Sequence, residues 1–195
     1  MLGKQAKTLA PGALRRAQEY LRQRPLGLRD EVLFLLSARA GLRACEIAGL
    51  QWSMVLKAQG LIGDHIEVRA QIAKMASGRR VPMHADLRAA LGRLKASLGA
   101  ELVCDAPVIP SAKSGHLRPN SIVNWFKALY GELGLEGCSS HSGRRTFITN
   151  AARNAHRAGA SLRDVQLLAG HRSIEMTQRY IDGDSDAQRR LIRFL

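Results

Sequence analysis

The chain has 195 residues, of which 46 % are hydrophobic, and its 30 Lys and Arg outnumber its 16 Asp and Glu, giving a formal net charge of +14. This length suits one folded domain with a buried core. No run of about 18 apolar residues is available to span a bilayer, and the amino-terminal residues lack the apolar stretch of a signal peptide. We therefore expect a cytoplasmic protein without a membrane partner.

The excess of positive charge predicts a polyanionic partner. Each Lys or Arg that neutralises a phosphate releases counterions, which favours binding to nucleic acid of any sequence. A basic surface that binds nothing is the alternative.

The cysteines and histidines do not form a metal-site pattern. Cys45, Cys104 and Cys138 are widely separated, and the six histidines show no HExxH or similar spacing. We therefore expect no metal ion and no other cofactor, with reduced thiols in an intracellular compartment.

Apolar positions at helical spacing predict three helices in the first part of the chain, over residues 12–25, 28–41 and 43–52. The period of the pattern then changes. Two short β-branched segments, 65–73 and 78–84, are separated by a turn, and together they predict a small antiparallel hairpin.

Helical spacing returns in the rest of the chain. Asp86 is expected to cap a helix over residues 87–98, and further helices are predicted over 121–133, 143–159 and 161–170. The predicted fold class is therefore mainly α with a small antiparallel β-sheet (α+β).

Arg43 and Glu46 lie three residues apart, just after Gly41, which we expect to end the preceding helix. A weak ion pair along one helix is the simplest interpretation. Because many core residues surround Arg43, however, we expect it to be partly buried. A buried charge needs a strong partner, and a phosphate is one such partner.

Two other segments place basic residues where a phosphate could bind. In "HSGRRTF", His141 and Arg144 share a helix face, so an imidazole and a planar guanidinium can converge on one phosphate. A solvated helix face is the alternative there. Lys74 lies in the turn of the predicted hairpin, where it is either solvated or reaches into a groove to deliver a proton.

The segment "LAGHRSIEMTQRYIDG" contains His171 and, nine residues later, Tyr180. In one continuous helix, nine residues at about 100° each would put the two side chains on opposite sides. We expect Gly170 to end the preceding helix and a new helix to begin near Ser173, so that the two side chains converge. Tyr180 is then expected at the exposed carboxyl-terminal end of that helix.

A tyrosine surrounded by cations can attack a phosphodiester. Guanidinium and imidazole groups favour the phenolate and stabilise the negative charge that develops on the non-bridging oxygens. The candidate residues form a self-consistent site for metal-free phosphoryl transfer: Arg43, Lys74, His141, Arg144, His171 and Tyr180.

Four segments, taken in order, resemble the boxes of the tyrosine recombinase (phage integrase) family: "AGLRACEIAGLQW", "KMASGRRVP", "HSGRRTFIT" and "LAGHRSIEMTQRYI". The resemblance extends from about residue 8 to residue 182. It implies that Arg43 and Arg144 clamp the scissile phosphate. It also implies that His171 hydrogen-bonds that phosphate and that Tyr180 is the nucleophile.

The same resemblance implies how protons and strands are exchanged. Lys74 would protonate the leaving 5′ oxygen, His141 would assist proton transfer, and Glu46 would orient its neighbours. The tyrosine would form a 3′-phosphotyrosyl link, which the 5′-hydroxyl of another strand then attacks. Because the link conserves the bond energy, neither ATP nor a metal ion is needed.

Compared with the family, this chain begins close to the catalytic domain. We expect a short helical segment over residues 1–25 without a full core-binding domain, a catalytic domain over 26–182, and a tail over 183–195. Either the protein is a naturally minimal recombinase or the sequence is a catalytic-domain fragment of a longer one. That tail would dock on its own domain or on a neighbouring protomer. The implied partners are double-stranded DNA and further copies of the chain, as a dimer or tetramer on DNA. Four arginines are expected to contact the DNA: Arg79, Arg80, Arg145 and Arg172.

The sequence therefore predicts DNA strand transfer by a tyrosine-type site-specific recombinase, in the integration, excision or resolution of a mobile genetic element. Two alternatives stay open. The same site could nick and religate one duplex, as a topoisomerase does. Residues 161–180 could instead be the helix-turn-helix of a non-catalytic DNA-binding module, but that interpretation does not explain why Arg43, Lys74 and His141 occur in this order.

Overall fold

The computed structural model describes residues 6–73, 77–99, 102–111, 115–180 and 192. Over these residues the protein is mainly helical with a two-stranded antiparallel sheet, as the sequence predicted. The helices are α1 Pro11–Arg22, α2 Gly27–Ala38, α3 Ala44–Gly49, α4 Ala85–Leu98, α5 Pro119–Glu132, α6 Ser142–Asn154, α7 Leu162–Ala169 and α8 Ile174–Gln178. The strands are β1 His65–Val68 and β2 Arg79–Pro82, and short 3-10 helices cover Trp52–Met54 and His156–Ala158.

Helix α2 forms the centre of the main hydrophobic core. Helices α1, α4 and α6 all pack on it, and a helix enclosed in this way must be apolar on every side. The run from Val32 to Leu36 meets that requirement, since each of its side chains is buried. The largest fully buried side chains from other segments are Trp52, Phe126 and Tyr130.

A second, smaller core joins the last three helices. Its buried members are Ile148, Ala155, Val165 and Ala169, and Phe147 and Tyr180 are among the residues that pack against it. This cluster fixes the segment that carries His171 and Tyr180 on the carboxyl-terminal side of α6.

The predicted hairpin is present, but its first strand is shorter than predicted. The two strands pair antiparallel, with Val68 opposite Arg79. The backbone amides of Ile72 and Ala73 turn back to the carbonyl of Arg69, at 3.2 Å each, so the chain leaves the ladder before residue 73.

Two glycines end helices where the sequence predicted breaks. Gly41 follows α2 with φ of 65°, and a side chain there would overlap the ring of Phe147. Gly170 ends α7 with φ of 60°. Both values lie in the left-handed region that favours glycine. The predicted new helix follows, with Ser173 as the residue before α8.

The prediction that Asp86 caps α4 is wrong. His84 is the capping residue, and its Nδ1 accepts a hydrogen bond from the backbone N–H of Asp86 at 3.1 Å. Asp86 lies in the first turn instead, where a carboxylate interacts favourably with the helix dipole.

Candidate active site

The carboxyl-terminal end of α7 gathers three arginines from distant parts of the chain. The last carbonyls of a helix have no partner within it and carry the negative end of the helix dipole. Arg79 donates to the carbonyl of Leu168 at 2.9 Å, Arg144 to that of Ala169 at 2.6 Å, and Arg43 to that of Gly170 at 3.4 Å. Three successive carbonyls thus hold three guanidinium groups close together.

Glu46 lies between two of these arginines and is fully buried. Arg79 donates to both of its carboxylate oxygens, at 2.8 and 3.0 Å, and Arg43 donates through its side chain at 2.9 Å and its backbone N–H at 2.8 Å. Burial alone would raise the pKa of Glu46. The hydrogen bond and charge of Arg79, followed by those of Arg43, outweigh burial and lower that pKa below its ordinary value. The ionised carboxylate therefore fixes both guanidinium groups.

Arg144, in the first turn of α6, is almost completely buried, with 4 % of its surface exposed. It donates to the carbonyl of Gly41 as well as to that of Ala169. Burial, and next the positive charge of Arg43, lower the pKa of Arg144 to about 10, so it remains charged at neutral pH. A buried cation repelled by neighbouring cations favours the binding of an anion between them.

His171 is buried beside the same charges, with 7 % of its surface exposed. Its Nδ1 lies 3.0 Å from the hydroxyl of Thr177. Burial, followed by the charges of Arg144, Arg43 and Arg79, lowers the pKa of His171 to about 4. The imidazole is therefore neutral at neutral pH and carries its proton on one nitrogen only.

Tyr180 and His171 do converge. Their rings stack with centroids 5.5 Å apart and planes at 24°, and the Arg145 guanidinium carbon lies 5.9 Å from the centroid of the tyrosine ring. The expectation that Tyr180 is exposed is wrong, because it is half-buried against the second core. Gly170 makes this contact possible because it ends α7 and leaves His171 in the connection before α8.

The tyrosine shares a cleft with the basic residues of α6. This cleft has a volume of about 380 Å³ and is lined by His141, Arg144, Arg145 and Tyr180 among others. His141 is the exposed residue just before α6, and Arg144 lies one turn further on. The HxxR pair and the tyrosine thus face one space.

A second cleft, of about 660 Å³, lies between β2 and α7 and reaches His171. Arg80 and Arg172, both exposed, are among the residues that line it. Two of the four arginines predicted to contact DNA are therefore at a surface next to the candidate site.

Arg79, unlike Arg80 and Arg172, has a buried side chain. The side chain of Arg79 is only 6 % exposed, and its three guanidinium nitrogens all donate to protein oxygens. The hairpin turns Arg79 inward onto Glu46, and the contact of Arg79 with DNA stays a prediction. Lys74 lies outside the described residues.

Within the described part of the chain we find neither a metal-binding cluster nor a membrane-spanning helix. No three His, Cys, Asp or Glu side chains there come close enough together to hold a metal ion. No described helix combines the length and apolarity needed to cross a bilayer. The three cysteines are free thiols.

The fold is that of tyrosine recombinase catalytic domains. The protein superposes on XerA recombinase with a TM-score of 0.73 over 98 % of this chain and 64 % of that one, at 23 % identity. It also superposes on XerH site-specific recombinase bound to its difH substrate, with a TM-score of 0.77 over 98 % of this chain and 53 % of that one, at 18 % identity. These likenesses concern the fold alone.

Sequence similarity identifies the family to which the chain belongs. Residues 7–186 match the model of the phage integrase family, and the chain belongs to that family. It is 33 % identical to the tyrosine recombinase XerC of Rhodospirillum centenum over 162 residues, which cover 83 % of this chain and 44 % of the relative. It is 32 % identical to XerC of a Methylobacterium species over 80 % of this chain and 46 % of the relative. The chain thus spans about half the length of these relatives.

Sequence reasoning missed Thr177 and the inward position of Arg79. Thr177 belongs to the segment that carries His171 and Tyr180, and its i+3 spacing from the tyrosine was visible. The partners of Arg79 lie 33 and 89 positions away, so no local pattern could have indicated them.

Proposed function

We propose that this chain is the catalytic part of a tyrosine-type site-specific recombinase that cuts and rejoins DNA through a 3′-phosphotyrosyl intermediate. The observation that carries the proposal is the convergence of Arg43, Arg144, His171 and Tyr180, which reach one region from three separate parts of the chain. A module that only binds DNA does not require a buried arginine cluster beside a tyrosine.

In the proposed reaction, the Tyr180 hydroxyl oxygen attacks the scissile phosphorus as its proton passes to solvent water. The new bond joins the tyrosine oxygen to phosphorus, and the bond to the 5′ oxygen breaks. Arg43 and Arg144 stabilise the charge that develops on the non-bridging oxygens, and His171 donates a hydrogen bond to one of them. The 5′-hydroxyl of another strand reverses the step, so the bond energy is retained.

Two residues are assigned to proton transfer. Lys74 delivers a proton to the leaving 5′ oxygen, and His141, which lines the 380 Å³ cleft together with Tyr180, assists. Glu46 keeps Arg43 in place. Membership of the phage integrase family supports these assignments.

The proposed partner is double-stranded DNA, bound in the cytoplasm by a dimer or tetramer of this protein. Arg80 and Arg172 would contact the backbone beside the site, and Arg145 would do so near Tyr180. The net charge of +14 supports such a partner. A similar fold occurs in a Tn1549 transposon integrase in complex with circular intermediate DNA, which is consistent with action on a mobile genetic element.

The proposed division of the chain follows the same reasoning. Residues 1–25 form a short helical segment, 26–182 the catalytic domain, and 183–195 a tail that docks on the same or a neighbouring protomer. The tail, apart from residue 192, lies outside the described residues.

The test is covalent capture on a nicked suicide substrate. After cleavage the short fragment that carries the free 5′-hydroxyl diffuses away, so the protein stays attached to the DNA. We expect a denaturation-resistant adduct from the parent protein and none from Tyr180→Phe. Tyr20→Phe is the matched control, since Tyr20 hydrogen-bonds Glu132 in another part of the molecule, and it should form the adduct normally.

Two further assays of the parent protein distinguish recombination from a topoisomerase-like activity and from DNA binding alone. Joint molecules between two duplexes would support recombination, whereas relaxation of a supercoiled plasmid without joint molecules would favour a topoisomerase-like activity. A parent protein that binds DNA but forms no adduct on any substrate would contradict the proposal and favour a binding module.

A further inference from the structure

Thr177 is a fully buried polar residue next to the proposed catalytic histidine. It lies in α8 with 0 % of its surface exposed, and its hydroxyl oxygen is 3.0 Å from Nδ1 of His171. A neutral imidazole has one donor and one acceptor nitrogen. The direction of this hydrogen bond therefore decides what the other nitrogen, Nε2, can do.

A buried hydroxyl needs an acceptor for its proton. Thr146 of α6 illustrates the usual solution, because it donates to the carbonyl of Ser142 at 2.7 Å and accepts from the N–H of Leu9 at 2.8 Å. Among the described residues, the Thr177 hydroxyl has Nδ1 of His171 as its hydrogen-bond partner. If Nδ1 carried the proton, the Thr177 oxygen would accept from it, and the hydroxyl proton would be buried without an acceptor among the described residues.

The backbone of His171 is already fixed by other contacts. Its N–H donates to the carbonyl of Gln166 at 3.1 Å, and its carbonyl accepts from the Gln166 side-chain amide at 3.0 Å. Arg163 donates to the same side chain at 2.9 Å. What remains to be set is the rotation of the imidazole ring and the position of its proton.

Thr177 also connects His171 to the tyrosine. Its carbonyl accepts the backbone N–H of Tyr180 at 3.0 Å, while its side chain holds the ring on which Tyr180 stacks. One residue thus fixes the position of His171 relative to the chain that carries the proposed nucleophile.

We propose that Thr177 is a positioning residue, whose hydroxyl donates to Nδ1 of His171 and so keeps the proton of the neutral ring on Nε2. His171 is then a hydrogen-bond donor to the scissile phosphate and has no free nitrogen to accept the proton of Tyr180. This inference rests on the proposed function of the site. It identifies Thr177 as the residue that keeps His171 in the tautomer that donates to the phosphate.

The first experiment observes the tautomer without DNA. In protein labelled with ¹⁵N at histidine, the His171 signals are assigned by their loss in His171→Gln. We expect Nε2 to be protonated and Nδ1 to be an unprotonated, hydrogen-bonded nitrogen at neutral pH. Thr177→Val should shift the Nδ1 resonance and raise the population of the other tautomer, and Thr177→Ser should restore the parent spectrum.

The second experiment measures adduct formation on the suicide substrate under single-turnover conditions. We expect Thr177→Val to be slower by about tenfold, the lower end for losing a side chain that orients a functional histidine, and Thr177→Ser to be close to the parent. Thr146→Val is the matched control. It removes an equally buried hydroxyl, but it should leave the His171 spectrum unchanged.

The outcomes separate this inference from the proposed function. A parent protein with the proton on Nδ1, or an Nδ1 resonance unchanged in Thr177→Val, would overturn the role of Thr177 whatever the cleavage result. An unaffected cleavage rate in Thr177→Val would also contradict it. If the spectrum is as expected but no protein forms an adduct, the proposed function fails while the tautomer assignment stands.

Discussion

Two buried glutamates, each held by two arginines, invite comparison. Glu46 accepts hydrogen bonds from Arg79 and Arg43 at 2.8 to 3.0 Å, and Glu31, in α2, accepts from Arg22 at 2.8 Å and from Arg93 at 2.7 Å. Both carboxylates are buried. The arginines differ, because those at Glu31 have 55 % and 45 % exposed side chains, against 6 % and 16 % at Glu46.

The exposure of the arginines distinguishes a structural ion pair from one that belongs to the candidate active site. Around Glu31, water can solvate the guanidinium groups, so the cluster serves mainly to join α1 and α4 to α2. Around Glu46, the arginines also donate to the carbonyls at the end of α7. With little water to replace these contacts, each guanidinium keeps one position, as the stabilisation of a transition state requires.

The largest effect is expected from Glu46→Gln. Loss of the charge leaves two buried cations without their counter-ion, which we expect to destabilise the fold by about 3 kcal/mol. Displacement of Arg43 should slow adduct formation by about 100-fold, since a small misplacement of a catalytic group costs that much. The measurements are urea unfolding and single-turnover cleavage below the unfolding temperature of the variant.

Glu31→Gln is the matched control for that change. It should cost about 1 kcal/mol, since water can solvate the exposed arginines left behind, and cleavage per folded molecule should be unchanged. A loss of cleavage in Glu31→Gln equal to that in Glu46→Gln would mean that the two clusters do not differ in the way proposed.

The comparison also shows what the sequence could and could not predict. Local signals were sufficient for the helices, for the breaks at Gly41 and Gly170, and for the convergence of His171 and Tyr180 after the second break. They did not reveal the inward position of Arg79, because its partners come from α3 and α7. Contacts between side chains that are distant in the sequence depend on tertiary packing, and the periodicity of apolar residues does not predict them.

An intermediate effect is expected from Arg79→Lys. A lysine keeps the charge but cannot bond both oxygens of Glu46 and the Leu168 carbonyl at once, so we expect cleavage to slow by about tenfold. Arg93→Lys is the counterpart in the other cluster. It should change stability by less than about 1 kcal/mol and leave cleavage unaffected.

The salt dependence of DNA binding tests whether Arg79 instead contacts phosphate. Loss of one phosphate contact lowers the slope of log affinity against log salt by about one. We expect that change for Arg80→Gln, at an exposed position, and no change for the equivalent charge-removing variant Arg79→Gln. A lower slope in Arg79→Gln would support a DNA contact by Arg79.

The last effect concerns acid stability, where the two regions should separate by pH. The pKa of His171 is about 4 in the folded protein and about 6.5 in an unfolded chain. Between these values the unfolded state binds more protons, so stability falls as pH drops from about 6.5 to 4. The measurement is the urea midpoint as a function of pH, and His171→Gln should remove this first decline.

Protonation of Glu31 and Glu46 lowers stability at a lower pH than protonation of His171. Burial raises the pKa of Glu31, but its bonds to Arg22 and Arg93 outweigh burial and lower that pKa overall, as happens at Glu46. Their stabilisation is complete above the unfolded value of about 4.3 and is lost as pH falls through the folded values. Glu31→Gln should therefore weaken only this second decline. If it also removed the first, the loss of stability near pH 6 would not originate at His171, and the active-site cluster would be no more sensitive to acid than the structural one.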